Sequence, residues 1–339
     1  MSGDLCETGT DEMEIRVIMG DTLYIVVPCY NEQEVLAETA NRLRKKVEAL
    51  VGQQKIGAKS RIMFVNDGSK DATWVMISEL CEQNPIYAGV NLSRNRGHQN
   101  ALLAGIETAA SHADMIVSMD ADLQDDIDAM DQMIDAYRKG YDVVYGVRSS
   151  RQKDSFFKRN TAQVFYRLMK LLGAEIVYNH ADYRLLSRRA AKALLSFDEV
   201  NLFLRGIVPM VGYPSTTVAY ERGIRYAGKS KYPLGKMLAF ALEGLTSLSV
   251  KPIRMITAGG LLVCIVSMLM LIKAFVDYFS GNVEPGWTSI IISIWVLGGL
   301  QLFAIGIIGE YIGKTYMETK GRPKFIIESV LLKEENEVE

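Results

Sequence analysis

The stretch Met115-Ile116-Val117-Ser118-Met119-Asp120-Ala121-Asp122-Leu123-Gln124-Asp125 is a short apolar, β-branched run that stops abruptly in carboxylates. A run of this kind reads as a strand whose end is polar. Four more such runs flank it: Leu23 to Val27, Arg61 to Val65, Ile86 to Leu92 and Asp142 to Val147, with amphipathic segments between. Strand and helix in alternation predict an α/β fold with a mostly parallel sheet. Ligands of such sheets bind beyond the carboxyl ends of the strands, so the residues just after each strand matter most. The first strand runs into Pro28-Cys29-Tyr30-Asn31-Glu32, the second into Asn66-Asp67-Gly68-Ser69 and the third into Ser93-Arg94-Asn95-Arg96-Gly97. One edge of the sheet therefore collects carboxylates, amides and guanidiniums.

The chain has 339 residues, with 38 Lys and Arg against 40 Asp and Glu. That balance leaves no basic footprint for nucleic acid. The four cysteines, Cys6, Cys29, Cys81 and Cys264, form no CxxC pair and lie near no histidine cluster. This argues against a disulfide framework or a zinc site. Neither GxGxxG after the first strand nor GxxxxGK[ST] occurs, so dinucleotide and P-loop readings lack their anchor. The three histidines, His98, His112 and His180, read as structural.

Beyond Arg254 the composition changes. Met255 to Ile272 and Pro285 to Gly309 contain no charged residue. Each is about long enough to cross a hydrocarbon core of roughly 30 Å at about 1.5 Å per residue, which predicts two transmembrane helices. A buried helical hairpin is the competing explanation, but such helices are usually shorter and amphipathic. Arg222, Arg225, Lys229, Lys231, Lys236, Lys251 and Arg254 precede the first span, and Lys314, Lys320, Arg322 and Lys324 follow the second. The positive-inside rule then puts both termini in the cytoplasm. The expected order is a flexible leader over 1–21, a catalytic domain over 22–235, a juxtamembrane amphipathic segment over 236–254, a two-helix anchor over 255–312 and a cytoplasmic tail over 313–339. Gly259, Gly260, Gly298, Gly299, Gly306 and Gly309 permit close helix packing, within one hairpin or between copies.

Asp120-Ala121-Asp122 can aim carboxylate oxygens at one hard divalent cation, and Mg²⁺ is typically held by one or two carboxylates plus substrate phosphates. Acidic residues at strand ends are also common helix starts, and Asp125, Asp126 and Asp128 fit that explanation. Asp67 can accept hydrogen bonds from a base or ribose, while Ser69 or Asp71 can cap the next helix. The Pro28 to Glu32 loop offers a ring and a carboxylate to a nucleoside, or is an ordinary strand-to-helix turn.

Taken in order and spacing, Val27 to Glu32, Val65 to Ser69, Leu92 to Gly97 and Met119 to Asp125 resemble the inverting family 2 glycosyltransferases. The resemblance is strongest to the bactoprenol glucosyltransferase and dolichyl-phosphate mannose synthase branch. Asp182 to Arg189, Phe203-Leu204-Arg205-Gly206 and Arg225 to Tyr232 resemble the acceptor-side motifs of that branch. It implies a GT-A fold, Rossmann-like, and Mg²⁺ or Mn²⁺ as cofactor. It further implies that Pro28, Tyr30, Glu32, Val65 and Asp67 hold the nucleoside. Asp120, Ala121, Asp122 and Gln124 would engage donor diphosphate, the metal falling to Asp120, Asp122 and Gln124. Arg148, Arg225 and Lys231 would contact phosphates, and Asp182 and Arg205 would stand with Asp122 at the reacting centre. Lys229 departs from the pattern, since many relatives carry an acidic residue there.

The expected reaction moves a hexose from a nucleotide sugar, UDP-glucose first, to polyprenyl phosphate at the cytoplasmic face of the inner membrane. A lipid flippase and a second copy of the chain are the expected protein partners. A processive synthase is disfavoured because Trp74, Trp287 and Trp295 lie outside any Gln-x-x-Arg-Trp setting. A GDP-mannose-using enzyme and a catalytically silent sugar-nucleotide sensor or flippase scaffold are the other readings.

Overall fold

The computed structural model describes residues 20–149, 180–199, 203–221, 223, 251–280 and 286–333. Arg225 and Lys231, most of the leader and residues 236–250 of the juxtamembrane segment lie outside the described residues. In chain order the elements are β1 (Leu23–Cys29), α1 (Leu36–Gly52), β2 (Arg61–Asn66), α2 (Thr73–Gln83), β3 (Tyr87–Leu92), α3 (His98–Ala110) and β4 (Met115–Ser118). They continue with α4 (Ala129–Arg138), β5 (Val143–Arg148), β6 (His180–Ser187), α5 (Arg188–Leu195), α6 (Leu204–Met210) and β7 (Ser215–Tyr220). The two long helices α7 (Lys251–Phe279) and α8 (Trp287–Thr319) follow, then β8 (Ile327–Leu331). The described chain divides into two compact units, one built on the sheet and including β8, the other on α7 and α8.

One eight-stranded sheet runs β7-β5-β6-β4-β1-β2-β3-β8. The pairs β1–β2, β1–β4, β2–β3 and β5–β7 are parallel, whereas β3–β8, β4–β6 and β5–β6 are antiparallel. The sheet is thus mixed, with four of its seven pairings parallel, three of them in the continuous β3-β2-β1-β4 part. That part has the order of a nucleotide-binding half, with its topological switch point between β1 and β4. Both faces of β1 are buried along its whole length, which is why its sequence is a continuous apolar run without alternation. Leu23, Ile25 and Val27 pack with Leu36, Leu43 and Ile77 on one face, and Tyr24 and Val26 with Ala101, Leu102 and Ile106 on the other.

The helices follow from spacing. In α1 the buried residues Leu36, Thr39, Ala40, Leu43, Val47 and Leu50 form one stripe, the apolar face expected of a surface helix. Helix α3 packs on the sheet through a face of small residues, Ala101, Ala104, Gly105, Ala109 and Ala110. Three strands were not expected from the sequence: β6, β7 and β8. The last comes from the stretch 313–339 read as a tail; Asn91 pairs with Ser329 in antiparallel register, so chain beyond α8 completes the sheet.

Among the described residues, one segment, Val296–Thr319, is long and apolar enough to cross a membrane by length and composition, and Ile256–Met270 is a shorter apolar run. Two transmembrane helices therefore remain a proposal rather than a feature of the fold.

A Cβ added to Gly105 would lie 2.4 Å from Val26 Cγ1 and 2.7 Å from Val65 Cγ2. Gly105→Ala is expected to destabilise the sheet unit by about 1–3 kcal/mol through overpacking. The denaturant midpoint reads this directly, and an unchanged midpoint would show that α3 can lift from the sheet at no cost.

Candidate active site

The loops after β1 and β2 are laced together. The Asn31 N–H donates to Ser69 Oγ at 3.0 Å, and the Lys70 N–H returns to Asn31 Oδ1 at 2.8 Å. The Glu32 N–H donates to Thr73 Oγ1 at 3.0 Å, and the Gln33 N–H to Asp71 Oδ2 at 3.3 Å. Asn31 adopts φ 54°, a left-handed conformation that asparagine tolerates better than most residues. Tyr30 is left 38% exposed at the rim, while Pro28 and Val65 are buried register partners beneath it. Ser69 is therefore not a helix cap; Asp71 accepts the Thr73 N–H instead, at 3.1 Å.

Asp67 is buried and turned toward the loop after β3. Its Oδ1 accepts the Arg96 N–H at 2.6 Å and its Oδ2 the Gly97 N–H at 3.0 Å. Burial raises its pKa, opposed by those two amides and by His98. Gly68, at φ 61°, has no room for a side chain: a Cβ would come 2.4 Å from the Asn95 nitrogen. In this structure Asp67 and Gly68 clamp the Arg94–Gly97 turn from which α3 starts.

The acidic turn after β4 is held on several sides. Thr39 Oγ1 donates to the Ala121 carbonyl at 2.8 Å, the Gly223 N–H to the Gln124 carbonyl at 2.8 Å, and the Tyr183 hydroxyl to the Asp126 carbonyl at 3.0 Å. Asp122 Oδ1 accepts the Gln124 N–H at 3.1 Å. Between these anchors Leu123 is buried with φ 57°, which costs on the order of 1–3 kcal/mol in a non-glycine residue. Asp120 lies 3.5 Å from His98 Nε2. Burial raises the Asp120 pKa; His98 and Arg205 oppose it, while Asp182 and Asp122 add to it.

Strand β6 brings in the last group. Asp182 accepts from Arg205 through both oxygens, Nε to Oδ1 at 3.2 Å and Nη2 to Oδ2 at 3.0 Å, and from Arg184 Nη2 at 2.9 Å. Burial favours its protonated form, but Arg205 and Arg184 outweigh it and hold the carboxyl well below the usual range. Arg184 itself is 1% exposed, so Asp182 is its counter-ion. Residue spacing explains the pair, because i and i+2 of a strand share a face.

A second buried carboxylate adjoins the turn. Asp125 accepts the Tyr220 hydroxyl and lies 4.0 Å from Arg148 Nη2. Burial and the neighbouring Asp120 push its pKa up to about 6 against Tyr220 and Arg148. The helix-start explanation fails for Asp125, since α4 begins only at Ala129. The structure thus brings Asp120, Asp122, Asp182 and Arg205 to one end of the sheet, with Arg148 beside Asp125. His98, Thr39, Arg184 and Tyr220 were not picked out from the sequence as site residues. Only Arg184 carried a usable signal there, its alternation with Asp182.

Among the described residues no three or more His, Cys, Asp or Glu converge on a closed metal cage. Asp120 and Asp122 at the end of β4 are instead a carboxylate pair of the kind that, completed by substrate phosphates, suits an open Mg²⁺ site.

Residues 24–195 match the model of glycosyl transferase family 2, and the chain belongs to this family, in the branch of the bactoprenol glucosyl transferases. It is 50% identical over 313 residues to the uncharacterized glycosyltransferase YkoT of Bacillus subtilis (strain 168), covering 92% of this chain and 93% of that one. Identity to the prophage bactoprenol glucosyl transferase homolog of Escherichia coli (strain K12) is 39% over 308 residues, 90% of this chain and 98% of that one. Among solved structures, mannosyl-3-phosphoglycerate synthase from Rubrobacter xylanophilus superposes with TM-score 0.46 at 14% identity, covering 72% of this chain and 78% of that one.

Because the Asp125 pKa is raised above its unfolded value to about 6, its stabilising contribution is complete below about pH 4 and lost as pH rises through 6. Asp125→Asn is expected to remove that slope in the metal-free protein, a change on the order of 2–3 kcal/mol between pH 4 and 7. Stability measured across this range checks it; a slope unchanged in the variant would assign the titration elsewhere.

Proposed function

We propose that this enzyme transfers a hexose from a nucleotide sugar, UDP-glucose as the first candidate, to undecaprenyl phosphate at the cytoplasmic face of the membrane. The observation that carries the reading is the Asp182–Arg205 pair facing Asp120 at the switch point of the sheet. The extended likeness to a bactoprenol glucosyl transferase homolog supports the lipid acceptor. Val296–Thr319, and the apolar run Ile256–Met270 in α7, support two spans that keep the enzyme where such a lipid lies. The basic residues on both outer flanks support cytoplasmic termini.

Pro28, Tyr30, Glu32, Val65 and Asp67 would line the nucleoside side. Asp120, Asp122 and Gln124 would hold Mg²⁺ or Mn²⁺, which supplies positive charge against the leaving diphosphate. Arg148 would meet donor or acceptor phosphate, and Arg225 and Lys231 are assigned the same role from sequence. One lipid-phosphate oxygen forms a bond to the anomeric carbon as the bond to the diphosphate breaks, with inversion and release of nucleoside diphosphate. The acceptor monoester, with a second pKa of about 6, is largely dianionic at pH 7 and needs little help in losing a proton. Asp182 is poorly suited to take one, since its oxygens already accept from two guanidiniums and its pKa is depressed. It acts as an anchor that aims Arg205 toward the charge developing in the transition state.

Transfer of labelled sugar from UDP- and GDP-sugars to undecaprenyl phosphate tests the reading. Metal-dependent labelling that falls at least about 100-fold in Asp122→Ala, as removal of a transition-state electrostatic group would give, is expected. Nucleotide binding without labelled lipid from any donor would instead favour a silent sugar-nucleotide sensor.

A further inference from the structure

Two asparagines at the carboxyl ends of β2 and β3 have no part in the chemistry above, yet they link the edge strand β8 to the loop after the central strand β1. Asn66 and Asn91 are register partners, and Asn66 Nδ2 donates to Asn91 Oδ1 at 2.7 Å. On the inner side, Asn66 Oδ1 accepts the Ser69 N–H at 3.2 Å. Ser69 Oγ then accepts the Asn31 N–H at 3.0 Å, and Asn31 Oδ1 the Lys70 N–H at 2.8 Å. On the outer side, Asn91 Nδ2 donates to Glu328 Oε2 at 2.8 Å. Glu328 belongs to β8, and the residue just before that strand, Ile326, receives the Ser93 N–H at its carbonyl, 3.0 Å away.

A hydrogen-bond chain therefore runs Glu328–Asn91–Asn66–Ser69–Asn31 and ends on the residue next to Tyr30. We propose that Asn66, Asn91 and Glu328 are positioning residues for the nucleoside diphosphate, and that the C-terminal strand β8 is a working part of the donor site. The proposal rests on the reading that the Tyr30 to Glu32 loop holds the nucleoside.

The chemistry favours a positioning role. Asn66 is 3% exposed, and its amide makes one bond through each end, so it fixes the turn it closes. Asn31 holds a left-handed backbone, φ 54°, one of several conformations open to asparagine, so bonds from its surroundings are needed to select it. The Ser69 and Lys70 bonds do that, and the Asn66 carbonyl sets where Ser69 stands. Aspartate at 91 would accept from Asn66 but repel Glu328; asparagine alone serves both neighbours. The Glu328 link is solvent-exposed, so its share is smaller than that of the partly buried Asn66–Asn91 bond.

The test uses the full chain with Mg²⁺ and UDP or GDP, whichever the parent binds, and compares Asn91→Ala, Glu328→Ala, Glu328→Gln and Tyr30→Ala. Loss of the Asn66–Asn91 link is expected to weaken nucleotide affinity about 5- to 10-fold in Asn91→Ala, as one hydrogen bond would give. Glu328→Ala should show a loss of about 2- to 3-fold, and Glu328→Gln, whose amide oxygen still accepts from Asn91, should return to the parent value. The KM for undecaprenyl phosphate should stay unchanged throughout. If Tyr30→Ala weakens binding while Asn91→Ala only lowers the melting temperature, the chain is structural and the proposal is overturned. If Tyr30→Ala leaves affinity unchanged, the nucleoside lies elsewhere, and the underlying reading falls together with the proposal.

Discussion

Arg184 lies almost wholly out of water beneath the reacting edge of the sheet, and a buried guanidinium needs a counter-ion. Asp182 supplies it two residues earlier on the same face of β6, and the remaining carboxylate positions go to Arg205 at the start of α6. Removing one member of such a set leaves an uncompensated buried charge, so the three stand or fall together. This arrangement requires β6 to enter antiparallel between β4 and β5, since only there does Asp182 come beside the acidic turn after β4. The departure from a parallel sheet is thus the feature that assembles the site.

The acidic turn is organised on the same logic. Leu123 sits in a costly backbone conformation that a free loop would abandon. It persists because Thr39 from α1, Tyr183 from β6 and Gly223 beyond β7 each hold one of the surrounding carbonyls. Three separate elements therefore fix the direction of Asp120 and Asp122 before any ligand arrives. In the proposed reaction, preorganised charge of this kind would lower the barrier to departure of a diphosphate.

The apolar strands β1 to β5 and their polar ends were legible in the sequence because both faces of the sheet are covered and the signal is continuous. Strand β6 was not, since Asp182 and Arg184 interrupt its apolar pattern, although Tyr183, Leu185 and Leu186 are buried in the core. Strand β8 was hidden by its position after a long apolar helix, where Ile327 to Leu331 read as tail. The site residues on strand ends could be named from motifs, but Asp125 could not be told from a helix start until its hydrogen bond to Tyr220 was seen. Thr39, His98 and Tyr220 lie far apart in sequence and gain meaning only through the fold.

In the proposed reaction the acceptor phosphate arrives ready to attack, and Asp182 anchors Arg205 without serving as a base. The direct measurement is the pH profile of sugar transfer to polyprenyl phosphate, set beside that of a phosphonate analogue with a different second pKa. The acidic inflection, near pH 6 for the phosphate, is expected to move with the acceptor. An inflection that stays fixed when the acceptor changes would place the essential ionisation on the enzyme and contradict the claim.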